Sequence, residues 1–231
     1  MPLSLIGVDA DDTLWHHETY YRLTHARYHD LLADYASPET VEARLNEVER
    51  RNIGVYGYGA KGFTLSMIET AIEISGARAS ASVMKEILAA GREIMQHPVE
   101  PLPGVADALG DLKKRGKLIL ITKGDLFHQE TKLAASGLGS HFSGVEIVSE
   151  KTPEVYARAF ARHGGSAGTS LMAGNSVRSD VLPMLAAGGH AALVPYPLVW
   201  EHEAAAVPVD HPRFRQLGSL GDLAGWIDEI G

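Results

Sequence analysis

The chain has 231 residues, enough for one large domain or for a core that carries a smaller module. Hydrophobic residues make up 45% and charged residues 22%, an ordinary globular balance that excludes disorder, coiled coil and collagen. A formal net charge of -8 without a dense basic stripe argues against nucleic acid as a partner, and the lack of cysteine removes disulfides, thiolate metal sites and a cysteine nucleophile.

The first predicted element covers residues 3–9, an apolar run that ends in acid and reads as a strand buried on both faces. From His16 to His97 the pattern turns helical. Ser37 followed by Pro38 fits a helix start, and residues 64–74 and 83–95 carry helix-spaced apolar side chains. Between them, Gly54, Gly57, Gly59 and Gly62 make residues 52–63 the most loop-like part of this region. Pro98, Pro101, Pro103 and Gly104 then favour a stiff extended connection, and the chain's other crossing, near Trp15 to Glu18, supplies a second hinge.

Further strands are expected at residues 117–122, 145–149, 170–173 and 191–194, alternating with helical stretches. The first two strands lie more than a hundred residues apart, whereas the later ones recur at roughly 25. This pattern predicts an α/β fold: a doubly wound parallel sheet formed by residues 1–15 and 99–231, with an α-helical cap domain inserted over residues 16–98.

Ligands of parallel α/β sheets gather beyond the carboxyl ends of the strands, so the residues following each run are the candidate site. They are Asp9-Ala10-Asp11-Asp12-Thr13, then Thr122-Lys123-Gly124, then Glu150-Lys151, and Gly174-Asn175-Ser176 leading to Asp180. Any one of these also suits a solvated strand end or a helix cap; Ser176 and Thr152-Pro153-Glu154 have the composition of helix starts.

Taken together and in this order, the four groups resemble the four motifs of the haloacid dehalogenase (HAD) superfamily, over the whole predicted core. The resemblance implies that Asp9 is a nucleophile that also ligates Mg2+, and that Asp11 acts as general acid and then general base while lending its carbonyl to the metal. It further implies that the Thr122 hydroxyl and the Lys123 backbone hold phosphoryl oxygens, with Lys151 stabilising charge beside Asp9. Catalysis is thereby assigned to Asp9, Asp11, Thr122 and Lys151, and phosphate binding to Asp11, Thr122, Lys123 and Lys151. Metal ligation falls to Asp9, Asp11, Asn175 and Asp180. Asn175 departs from the frequent family form, which has aspartate there, and leaves open which of Asn175 and Asp180 touches the ion. The Lys123 side chain either adds charge near the site or is simply solvated, so only its backbone is assigned a role.

A helical cap between the first and second motifs resembles the subclass that acts on small phosphorylated metabolites. The implied activity is Mg2+-dependent phosphomonoester hydrolysis through an aspartyl phosphate. The alternatives are a 2-haloacid dehalogenase, a phosphomutase, or a non-catalytic protein that binds a phosphometabolite. Dehalogenases of the family generally lack the second acid of the first motif, so Asp11 points to phosphorus. Tyr56, Tyr58, Lys61 and Phe63 are the cap candidates for substrate contact. His25 and His29 stand at i, i+4, a spacing that can hold zinc, but no third ligand has motif spacing and a solvated helix face is the preferred reading. His16 and His17 border either the cleft or the hinge. With no apolar run near the roughly 20 residues of a membrane span and no signal-like N-terminus, the expectation is a cytoplasmic monomer or homodimer without a membrane partner.

Overall fold

A computed structural model describes residues 3–231; the first two residues of the segment expected to open the core lie outside it. Six strands, β1 (Leu5–Val8), β2 (Lys117–Lys123), β3 (Gly144–Val148), β4 (Ser170–Gly174), β5 (His190–Leu193) and β6 (Phe214–Gln216), form one sheet in the order β3-β2-β1-β4-β5-β6. Every pairing is parallel. The doubly wound α/β sheet expected from the strand runs is therefore present, and β6, a short edge strand, was not foreseen.

The apolar runs lack alternation because both faces of the sheet are covered. Ile6, Val8, Leu118, Leu120 and Leu171 pack on one side with Leu109 and Leu112 of α5 (Val105–Leu112) and with Leu223, Trp226 and Ile227 of α9 (Leu223–Ile230). Leu5, Ile119, Ile121 and Met172 pack on the other with Tyr156 and Phe160 of α7 (Pro153–Arg162) and Met184 of α8 (Leu182–Ala186). Burial of each such side chain stabilises by about 1.5–3 kcal/mol, so the two-sided core supplies the rigid frame for the strand ends.

The chain separates into two compact units. One comprises residues up to Glu18, Val99–Lys123 and Gln129–Gly231; the other comprises Thr19–Pro98 and Gly124–His128. The helix after β2 is α6 (Leu126–Ser136), which lies in the first unit from Gln129 on; there, too, the segments around Trp15 and Pro101 pair antiparallel, with the Leu102 amide donating to the Leu14 carbonyl at 2.9 Å.

The second unit is helical: α1 (Glu18–Leu31), α2 (Pro38–Tyr56), α3 (Ala60–Ser75) and α4 (Ala81–Gln96). Its core is Tyr28, Leu32, Val41, Leu45, Phe63, Met67, Ile87 and Ile94. Ser37 and Ser80 cap α2 and α4 by accepting from the Thr40 and Val83 amides. The stretch expected as a loop is mostly helix, because α2 runs through Gly54 and α3 begins at Ala60. Gly62 is a packing requirement there: a Cβ would lie 2.7 Å from the Gly57 carbonyl oxygen. No helix among the described residues is long and apolar enough to cross a membrane.

Candidate active site

The chain leaves β1 in one direction for β2 and β3 and builds β4, β5 and β6 on the other side, so a switch point lies at the carboxyl ends of β1 and β4. Asp9 follows β1 there, its backbone amide donating to the Ala173 carbonyl at 2.9 Å. Lys151 is placed just ahead of α7, whose start is fixed by Thr152 accepting from the Val155 amide. Its Nζ lies 2.5 Å from Asp9 Oδ1 and 2.6 Å from Asp180 Oδ1, and its side chain is only 2% exposed.

Asp180 sits in the helical turn after β4, fully buried, with Oδ2 accepting from the Ser176 amide at 2.9 Å. It is not a surface acid. The side chain needs Gly174 behind it, since a Cβ at that position would lie 2.2 Å from Asp180 Oδ2. Burial and the neighbouring Asp180 push the Asp9 carboxyl up, to about 7, against the pull of the Lys151 ammonium. For Lys151, burial works against the charged form, but Asp180 and Asp9 outweigh it and hold the ammonium protonated.

Asp11 is gripped from α6. Lys132 Nζ lies 2.6 and 2.8 Å from its two carboxylate oxygens, the Trp15 indole donates at 2.7 Å and Gln129 Nε2 at 3.2 Å. Burial alone would raise this carboxyl, but His17 and Lys132 bring it well below the usual range. Gln129 also donates to Thr122 Oγ1 at 2.7 Å and to the Lys123 carbonyl at 2.9 Å, tying the ends of β1 and β2 together. Asp12 takes a left-handed conformation, φ 57°, and accepts from the His17 and Glu18 amides. This turn sends the chain from β1 toward α1.

The Asn175 amide presents one terminal atom 3.2 Å from Asp9 Oδ2, 3.1 Å from the Asp11 carbonyl oxygen and 3.2 Å from Thr13 Oγ1. As nitrogen, its two hydrogens have these three oxygens within reach; as oxygen, it could join Asp9 and the Asp11 carbonyl in holding a cation. Adjacent ligands of an octahedral Mg2+ with bonds of about 2.0–2.1 Å lie about 3 Å apart, so the separations of Asn175 from Asp9 and the Asp11 carbonyl suit this ion, as does the all-oxygen chemistry of these donors. Both Asp180 oxygens are instead engaged by Lys151 and Ser176.

Of the two readings of the Lys123 side chain, solvation is set aside: it is 12% exposed. Its ammonium pairs with Glu203 and lies 2.8 Å from Ser179 Oγ, while Glu203 also accepts from the Ser176 and Ser179 hydroxyls. Gln129, Lys132 and Glu203 were not identified from the sequence. The first two stand at i, i+3 on the helix after the second motif, a spacing that places them on one face; Glu203 carries no local signal.

Of the substrate-contact candidates in the helical unit, Phe63 is buried in that unit's own core, beside Tyr21 at 5.0 Å and stacked on His25 at 5.2 Å. Lys61 pairs with Asp125 at 2.9 Å, Tyr56 is exposed and Tyr58 half-buried. His16 Nδ1 lies 2.6 Å from the Tyr196 hydroxyl, and His17 stands 3.5 Å from Asp11.

Residues 3–188 match the family described as haloacid dehalogenase-like hydrolase. A haloacid dehalogenase-like family hydrolase from Xanthomonas campestris is 42% identical, with a TM-score of 0.89 over 99% of this chain and 91% of its own. More distant structures share the fold. A HAD-hydrolase from Bacillus subtilis bound to magnesium is 16% identical with a TM-score of 0.67, over 99% of this chain and all of its own. An L-2-haloacid dehalogenase from Xanthobacter autotrophicus with chloropropionic acid covalently bound is also 16% identical, with a TM-score of 0.65 and the same coverage. No curated protein matches the sequence. On the family match and the Xanthomonas relative, the chain belongs to the haloacid dehalogenase-like hydrolases.

Proposed function

We propose that this hydrolase is a Mg2+-dependent phosphatase acting on a small phosphorylated metabolite through an aspartyl phosphate on Asp9. The observation that carries the reading is the pairing of two carboxylates at the end of β1. Asp9 is held by Lys151, and Asp11 by Lys132, so two acids two residues apart have separate partners and can do separate work. A halide leaves without a proton, whereas the alkoxide of a phosphomonoester needs one, and Asp11 is the group to supply it.

In the first step an Asp9 carboxylate oxygen attacks phosphorus, the bond to the leaving oxygen breaks, and Asp11 delivers the proton to that oxygen. In the second, Asp11 takes a proton from water, the water oxygen attacks phosphorus, and the Asp9 carboxylate is regenerated. Donation requires the Asp11 carboxyl to leave the Lys132 ammonium, take up a proton from solvent and turn to the substrate. The anionic form stabilised by Lys132 and His17 suits the second step. Lys151 offsets negative charge on Asp9 and on the phosphoryl oxygens without giving up its proton. The Thr122 hydroxyl and the Lys123 backbone hold those oxygens, with Gln129 fixing Thr122. Asp9, the Asp11 carbonyl and Asn175 would hold Mg2+, which reduces repulsion between carboxylate and phosphate. Asp180 acts from behind, through Lys151. The metabolite class rests on the helical insertion between the first two motifs and on its resemblance to the capped subclass.

Carbon-halogen cleavage is the second reading. The neutral Asn175 favours it, because it lowers the negative charge available for a divalent cation. Phosphate release from an aryl phosphate, with Mg2+ and with chelator, run beside halide release from a 2-haloacid, separates the two. Mg2+-dependent phosphate release without halide release is the expected result; halide release that survives chelation reverses the assignment.

A further inference from the structure

The expectation that His25 and His29 form only a solvated helix face rested on the lack of a third ligand. The fold supplies one from the next helix. Glu42 on α2 places a single carboxylate oxygen, Oε2, 2.9 Å from His25 Nδ1 and 3.0 Å from His29 Nε2. The ligand-type atoms of the three residues all lie within 4.8 Å of one another. We propose that His25, His29 and Glu42 form a divalent transition-metal site, suited to Zn2+, that ties α1 to α2 within the helical unit and is separate from the oxygen-rich Mg2+ set at Asp9.

Three features carry this. The i, i+4 spacing puts both imidazoles on one face of α1, one turn apart. Adjacent donors on a tetrahedral Zn2+ with bonds of about 2.0–2.1 Å stand about 3.4 Å apart, so the two nitrogen–oxygen separations widen by about half an ångström to admit the ion, and the two nitrogens already lie within 4.8 Å of each other. The second feature is preorganisation. Phe63 stacks nearly parallel on His25, with planes 16° apart, which sets the ring orientation before any ion arrives. Tyr28, Leu45 and Phe63 belong to one packed cluster that fixes α1, α2 and α3 relative to each other. The third is donor type and access. Two imidazole nitrogens and one carboxylate oxygen make a borderline-soft set that favours Zn2+ over the hard, oxygen-seeking Mg2+. The side chains are 15%, 22% and 34% exposed, sheltered yet reachable, so water completes the fourth position.

The test is a titration of the full chain with Zn2+, and with Co2+ as its spectroscopic substitute, in excess Mg2+ to fill the oxygen site. It is run at about pH 7.5, where metal ligation competes with few protons. The expected result is one bound Zn2+ per chain and a four-coordinate Co2+ visible spectrum. In His29→Gln and Glu42→Gln, both folded by circular dichroism, affinity should fall at least about tenfold, the lower bound for disturbing even the surroundings of a metal ligand. If either variant fails to fold, the wild-type Co2+ spectrum and a rise in melting temperature with Zn2+ but not with Mg2+ decide the matter. No stoichiometric binding by the wild type, or binding unchanged in the folded variants, overturns the proposal.

Discussion

Ion pairs at the strand ends and those on the surface of the helical unit have opposite character. At the strand ends, Lys151 is 2% exposed and bridges Asp9 and the fully buried Asp180; in the helical unit, Arg51 is 48% exposed and reaches Glu69 and Glu73 across the surface. Burying three charges costs desolvation that an apolar triad would not incur, so the strand-end arrangement is poorly explained by stability and well explained by chemistry. The surface pairs lose little by being in water and contribute little. Burial of charge, more than the number of ion pairs, separates the candidate site from the surface of the helical unit.

The comparison breaks most visibly at Lys151. Lys151→Met leaves Asp9 and Asp180 buried with no counter-charge and should destabilise the protein by about 3–5 kcal/mol in urea unfolding, with activity lost as well. Gly174→Ala pushes a methyl into Asp180 and should cost about 1–3 kcal/mol while displacing the carboxylate from Lys151, read by the same unfolding assay and by a fall in kcat. Arg51→Ala should stay within about 1 kcal/mol of wild type and leave kcat unchanged. Arg51→Ala costing as much as Lys151→Met would mean that burial does not set the worth of these ion pairs.

The smallest effect concerns acid. Burial, with Arg213 nearby, holds the His190 imidazole below its ordinary value, so the unfolded chain takes up this proton at higher pH than the folded one. The stabilisation from neutral His190 is present above about pH 6.5 and is lost as pH falls below it. His190→Gln should therefore flatten the decline in melting temperature between about pH 7 and 5, and an unchanged slope would contradict this origin.

Much of the core was legible because buried parallel strands write themselves as unbroken apolar runs, and because Asp9, Asp11, Thr122, Lys151, Asn175 and Asp180 stand at fixed offsets from those runs. Phe214–Gln216 escaped because three residues on a sheet edge, two of them exposed and polar, make no run. Gln129, Lys132 and Glu203 escaped for another reason: each matters through a partner far along the chain, 121 residues away for Lys132 and Asp11, and local pattern does not encode distance in space. Glu42 escaped likewise, as a ligand-type residue on a second helix. The glycine-rich stretch misled because glycine marks close packing as well as turns, as Gly62 shows against the Gly57 carbonyl.

The central claim is that Asp9 becomes covalently phosphorylated, and the most direct test is to trap that species. The protein would be mixed with an aryl phosphate and Mg2+, quenched in acid during steady turnover, digested and analysed by mass spectrometry beside Asp9→Asn. The account predicts a phosphoryl group on the peptide containing Asp9, absent from Asp9→Asn, together with a loss of turnover of at least about 10³-fold in that variant. Phosphate release by Asp9→Asn at a rate near wild type would contradict it.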